Sequence, residues 1–267
     1  MSAMTTSIGN TAPALTMPLG RVFRAYVTDV KCEALRMLRA PAFAIPFLLL
    51  PVPIYLFFGV MLPSGEIAKN PGLGSFLFAS WCVFATMGPA MFGAGCTLAL
   101  DRETGLFRLK RALPAPAGAW LVARTVVAMI FATLAVATLV ATALVTGTAH
   151  LSAGQLAAVA AVMIPGAIPF CALGLFVGAH VPGSAAPAII NIIFLPMLWL
   201  SGLFFPLPDV LERFVVIWPA FHLNQAAVAA AGIDGFRFVP PQLAAAVLIG
   251  ITVLFGGLAV RRLARRG

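Results

Sequence analysis

Charge is scarce in this chain. Only 9% of its 267 residues are Asp, Glu, Lys or Arg, against about 25% in an ordinary soluble domain. The sequence is 61% hydrophobic, more than the interior of a soluble fold of this length can hide. Lipid or other buried helices must therefore cover most of it. Acidic residues are the scarcest charges, eight against seventeen basic ones. All eight are expected outside the apolar runs, either in an N-terminal helix (Asp29, Glu33) or in loops. A carboxylate inside the bilayer costs about 2.5–3.5 kcal/mol and is kept only where it works, so a carboxylate proton relay is not expected. Sodium coordination by backbone carbonyls and hydroxyls stays open.

Other chemistries are missing too. The three histidines, His150, His180 and His222, are too scattered for an HExxH zinc site, and no serine has a glycine two residues before it, as a nucleophile elbow requires. The three lysines follow Val30, Ala68 and Leu109, so the chain has no GxxxxGK[ST] phosphate loop. If ATP drives this protein, another chain binds it. The four cysteines, Cys32, Cys82, Cys96 and Cys171, show neither CxxC nor metal-ligand spacing and read as packing residues. The net charge is +9, but the basic residues flank apolar runs and do not form a stripe with interleaved aromatics. That pattern points to anionic lipid and excludes a nucleic-acid partner.

What is present is apolar length. The first twenty residues are Ser/Thr-rich without Lys or Arg. They read as a flexible tail lacking the charged start of a cleaved signal, so the first span acts as an uncleaved one. Over 21–40, Phe23, Val27, Val30, Ala34, Met37 and Leu38 recur at helical spacing, with Arg21, Arg24, Lys31, Arg36 and Arg39 on other faces. This predicts an amphipathic helix in the membrane interface, ended by Pro41. Apolar runs long enough to cross a core of about 30 Å follow at 41–62, 73–100, 118–148, 155–180, 186–206 and 240–260. The expected fold class is all-α integral membrane, with a six-span domain over 41–267. Prolines within the runs predict kinks, and Gly174 with Gly178 predicts close helix contact.

With the N-terminus inside, fourteen basic residues fall on the cytoplasmic side and only Lys69, Arg213 and Arg237 outside, a strong positive-inside bias. It sets both termini in the cytoplasm. It also argues against a seventh span in the mixed stretch 207–236, which instead predicts an external loop, extending to 239, whose short helices dip into the outer leaflet.

The loop expected at 101–116 reads Asp101-Arg102-Glu103-Thr104-Gly105-Leu106-Phe107-Arg108-Leu109-Lys110-Arg111-Ala112-Leu113-Pro114. It resembles the coupling segment of ABC type-2 export permeases, an acid-Arg-Glu-x-Gly-Thr stretch followed by a basic, Leu-rich helix and a proline. Two more stretches agree in order: Glu33-x-x-Arg36-x-x-Arg39-x-Pro41 with Tyr55-x-x-Phe58-Gly59, and Ser201-Gly202-x-x-Phe205-Pro206 with Pro219 and His222. Leu106 departs from the threonine usual there.

The resemblance implies the membrane subunit of an exporter in the bacterial inner membrane, with a second permease subunit, a homodimer being expected, and a separate ABC ATPase that binds ATP and Mg. No cofactor is expected in this chain. Coupling to the ATPase is implied for Asp101, Arg102, Glu103, Gly105, Phe107 and Arg108. A substrate path for a hydrophobic or amphipathic compound, drug or lipid-like, is implied for Phe84, Met87, Asn191, Phe194 and Trp199, because the second and fifth spans line the dimer centre in the family. The other readings are a stand-alone secondary transporter or channel and a lipid-modifying protein. The missing membrane acids and catalytic clusters count against both.

Overall fold

The computed structural model describes residues 18–62, 64–112, 116, 118–204, 214–233 and 235–266. The expected tail up to residue 17, the end of the coupling segment at 113–115 and the external stretch 205–213, with Phe205 and Pro206, lie outside the described residues.

Every regular element among the described residues is helical. Helix α1, Leu19–Leu38, ends where Arg39 caps onto the carbonyl of Leu35, two residues before Pro41. It buries only Glu33 and Met37, leaving Phe23, Val27 and its arginines Arg21, Arg24 and Arg39 exposed. The next span, Pro41–Met61, is broken in register. Helices α2, Pro41–Leu49, and α3, Pro51–Ile54, lead into a π-helical stretch, Tyr55–Met61, with Leu62 N–H bonded to Phe57 O five residues back. Pro46, Pro51 and Pro53 cannot donate to the helical ladder, and the wider turn follows them.

After the short helix α4, Ser64–Lys69, comes α5, Pro71–Glu103. Its 33 residues span about 50 Å at 1.5 Å each. Helix α6, Leu106–Ala112, turns away from its end; α7, Ala119–Thr146, and α8, Ala153–His180, return across the bundle. A capping box of Ser152 and Gln155 starts α8, satisfying two of the N–H groups that a helix start leaves orphaned. Helices α9, Ala186–Leu200, α10, Pro219–Ala231, and α11, Pro241–Arg266, complete the chain.

The core forms where α5 meets α8. A Cβ built on Gly174 would overlap the Met91 carbonyl, and one on Gly178 the Gly95 carbonyl, while Gly95 itself abuts Gly174 O. The expected close approach at Gly174 and Gly178 is thus direct backbone contact with α5, which only glycine permits.

Among the described residues, five helical stretches are long and apolar enough to cross a membrane. The fifth expected span is shorter, because α9 has 15 residues, about 22 Å. The stretch expected as an external loop contains α10, ten of whose thirteen residues are buried. Leu223 presses on Gly166 in the middle of α8, and Gln155 Nε2, near the start of α8, donates to Ala231 O at 2.8 Å. Helix α10 therefore runs antiparallel to α8 from the middle of α8 to its start.

Gly178→Ala should destabilise the protein by about 1–3 kcal/mol, the usual cost of overpacking, whereas Gly257→Ala, with nothing within 4 Å of its Cβ position, should be neutral or stabilising. Thermal denaturation of the two variants in detergent checks this.

Candidate functional site

The charged end of the bundle is built on the last turns of α5. Asp101 is 1% exposed. Its carboxylate accepts from Arg124 on α7 at 2.5 Å and pairs with Arg36 on α1 at 2.9 Å. Glu33 lies 3.7 Å from both arginines, and Arg124 Nε donates to Thr97 Oγ1 at 3.4 Å. The Arg124 guanidinium also sits 5.9 Å from the Trp120 ring centre, within cation–π range. Two carboxylates and two guanidinium groups thus meet where three helices join, all of them buried except Arg36, whose side chain is 35% exposed. Burial of this kind is tolerated only when each charge is paired.

Arg102 points the other way and donates to Gly178 O at 2.8 Å and Val181 O at 3.4 Å. These are carbonyls at the end of α8, where no further turn supplies N–H donors. Glu103 is exposed but folds over the turn after α8, so close that a Cβ at Gly183 would meet its Oε2 at 2.6 Å. Gly105 has φ +75°, a left-handed conformation that lets the chain turn sharply from α5 into α6. Phe107 is buried against the Trp120 ring, 5.3 Å between centroids and near perpendicular. It fastens α6 to α7 and leaves Arg108 exposed. A cavity of about 350 Å³ opens here, lined by Arg102, Glu103, Phe107, Arg108, His180 and Pro182 among others.

One expectation is corrected. Asp101 and Glu103 are not loop residues, because α5 stays helical through Glu103; the apolar run ends at Leu100, but the helix does not. Of the six residues named for coupling, Glu103 and Arg108 face outwards, Asp101 and Phe107 are buried, Arg102 secures α8, and Gly105 makes the turn. Glu33, Arg36 and Arg124 are site residues beyond the six expected. Arg124 lies inside the apolar run 118–148, where a lone charge would be expensive. That cost called for an acid, and Asp101 at the end of the neighbouring run supplies it.

The residues named for a substrate path separate. Phe84 and Phe194 meet at 6.1 Å, Met87 is fully enclosed, and Asn191 and Trp199 lie exposed on α9. The first two belong to a longer row. Rings of Phe131, Phe43, Phe47, Phe92, Phe194, Phe84, Trp81 and Phe204 follow one another with centroids 4.3–6.1 Å apart. They come from α7, α2, α5, α9 and the segment after α9.

A polytopic helical protein with a charged, ion-paired end and an apolar aromatic interior has the build of a membrane transport subunit. The ABC-2 type transporter family matches residues 24–233, and the chain belongs to that family. It is also similar to YvfS of Bacillus subtilis (strain 168), which is named as a transport permease, with 23% identity over 198 residues, 73% of this chain and 80% of that protein. Family membership implies a partner ATPase.

Asp101→Asn should cost about 3–5 kcal/mol, as removal of one partner from a buried ion pair does. Thermal denaturation should show it, and the exchange Asp101→Arg with Arg124→Asp should recover part of the loss.

Proposed function

We propose that this chain is the membrane-spanning subunit of an ABC exporter in the bacterial inner membrane, moving a hydrophobic or amphipathic substrate outwards. ATP and Mg are bound and ATP is hydrolysed in a separate ATPase that docks on the cytoplasmic α5–α6 corner. The observation that carries this reading is the combination, in an ABC-2 family chain, of exposed Glu103 and Arg108 with a rigid backing. Behind them Phe107 locks α6 to α7, and the ion cluster locks α1 to α5 and α7. A load applied at the corner therefore reaches α1 and the bundle together.

The positive-inside bias supports cytoplasmic termini. Helix α9 serves as the fifth of six spans, and α10 as a re-entrant helix entering from the outer side. The apolar faces on Pro41–Met61 and α9, with Phe57, Phe58, Ile192, Leu195 and Trp199 exposed, suit a second copy of the chain and the surrounding lipid. Substrate would pass between the copies, near Phe84, Phe194, Asn191 and Trp199, with Met87 behind them. The aromatic row favours apolar or amphipathic compounds over sugars, because large rings contribute apolar contact with few hydrogen-bonding groups.

In purified complex, Glu103→Lys should weaken ATPase association by about tenfold or uncouple hydrolysis from transport, while leaving membrane insertion intact. A purely topological role predicts no change, since the added positive charge strengthens the orientation signal. Wild-type association and substrate-stimulated hydrolysis would overturn the docking role.

A further inference from the structure

Three helices end together at the charged end of the bundle. Helix α5 becomes polar at Asp101, Arg102 and Glu103, α8 closes at His180, and α11 reaches Arg261 and Arg262. Apolar spans that stop at one level place that level at the lipid headgroups, whichever way the chain is oriented. The cavity beside Arg102 opens at this depth, with Phe107 and Pro182 as apolar wall and Arg102, Arg108 and Glu103 as polar wall.

Its charges are not balanced. Arg262 of α11 is close enough to Arg102 for the two to repel each other, with Glu103 the nearby carboxylate that opposes this. Among the described residues, neither Arg102, Arg108 nor Arg262 forms an ion pair with a carboxylate, and the buried Nε of Arg262 has no hydrogen-bond partner. This contrasts with the cluster around Asp101, where every guanidinium is matched. Cations in surplus around a cavity at this depth call for an anion with several acceptor oxygens.

We infer that this cavity binds the phosphate of an anionic phospholipid. The phosphodiester accepts from Arg108 and Arg102, which line the cavity, with the positive charge of Arg262 close by, and the apolar part of the lipid follows Phe107 and Pro182. Basic pockets between spans at headgroup depth have this chemistry. The apolar wall favours a lipid over free phosphate, and the surplus of arginines disfavours a zwitterionic headgroup, whose phosphate comes with its own cation. The inference rests on membrane placement alone and not on the transport reading, so either can fail without the other.

The test uses the full chain, purified and delipidated, titrated with phosphatidylglycerol, phosphatidylcholine and inorganic phosphate and read by native mass spectrometry. Phosphatidylglycerol should bind in preference to phosphatidylcholine and resist displacement by millimolar phosphate. Arg262→Gln and Arg108→Gln should each weaken phosphatidylglycerol binding about fivefold. Arg265→Gln, exposed on the same helix end, should not, and helical circular dichroism should be unchanged in all three. Displacement by phosphate would reassign the cavity to a free anion. Equal binding of both lipids, or equal losses at Arg262 and Arg265, would show a diffuse surface effect. Each of these three results would overturn the proposal.

Discussion

The organisation of this molecule depends on three buried charges, Glu33, Asp101 and Arg124, which satisfy one another with the help of the part-exposed Arg36. Removed from the cluster, Glu33, Asp101 or Arg124 would be an ion in a nearly dry site, which folded proteins do not tolerate. Assembled, they force α1, α5 and α7 to meet at one point. An amphipathic helix such as α1 could otherwise lie anywhere on a membrane surface, because its exposed Phe23 and Val27 ask only for an interface. The ion pairs give it a fixed address. They also set the height of the α5 terminus, from which Gly105 turns the chain and Phe107 pins α6.

Hydropathy made the long helices legible, because a run of about twenty apolar residues has few places to go other than a bilayer. It was less informative about where helices stop. The apolar run of α5 ends at Leu100, whereas its hydrogen bonding continues to Glu103, since leaving the hydrocarbon core does not oblige a helix to unwind. Helix α10 was hidden for the opposite reason. Its Pro219, His222, Asn224 and Gln225 read as loop chemistry, yet they are buried. The burial is made tolerable in part by backbone partners that no local pattern reveals: His222 Nε2 pairs with Val216 O at 2.8 Å, and Gln225 Oε1 accepts from Phe238 N–H at 2.7 Å.

The charged stretch from Asp101 onwards was visible as a motif, but the division of labour within it was not. Adjacent residues on one helical turn face opposite ways, so Asp101 turns towards Arg124 while Arg102 turns towards the end of α8. Only the neighbours decide which side is inside. The aromatic row shows the same limit. Phe84 and Phe194 stood out as single residues, but the continuity from Phe131 to Phe204 is assembled from separate elements and exists only once they pack.

The glycine contact between α5 and α8 has a mechanical consequence. With the carbonyls of Met91 and Gly95 pressed against Gly174 and Gly178, no side chain lies between the two backbones to act as a cushion. The two helices are therefore held as a unit from this crossing to the charged end, where Arg102 ties α5 to Gly178 O and Val181 O. Backbone contact of this kind does not absorb a small displacement of one helix; it passes it to the other.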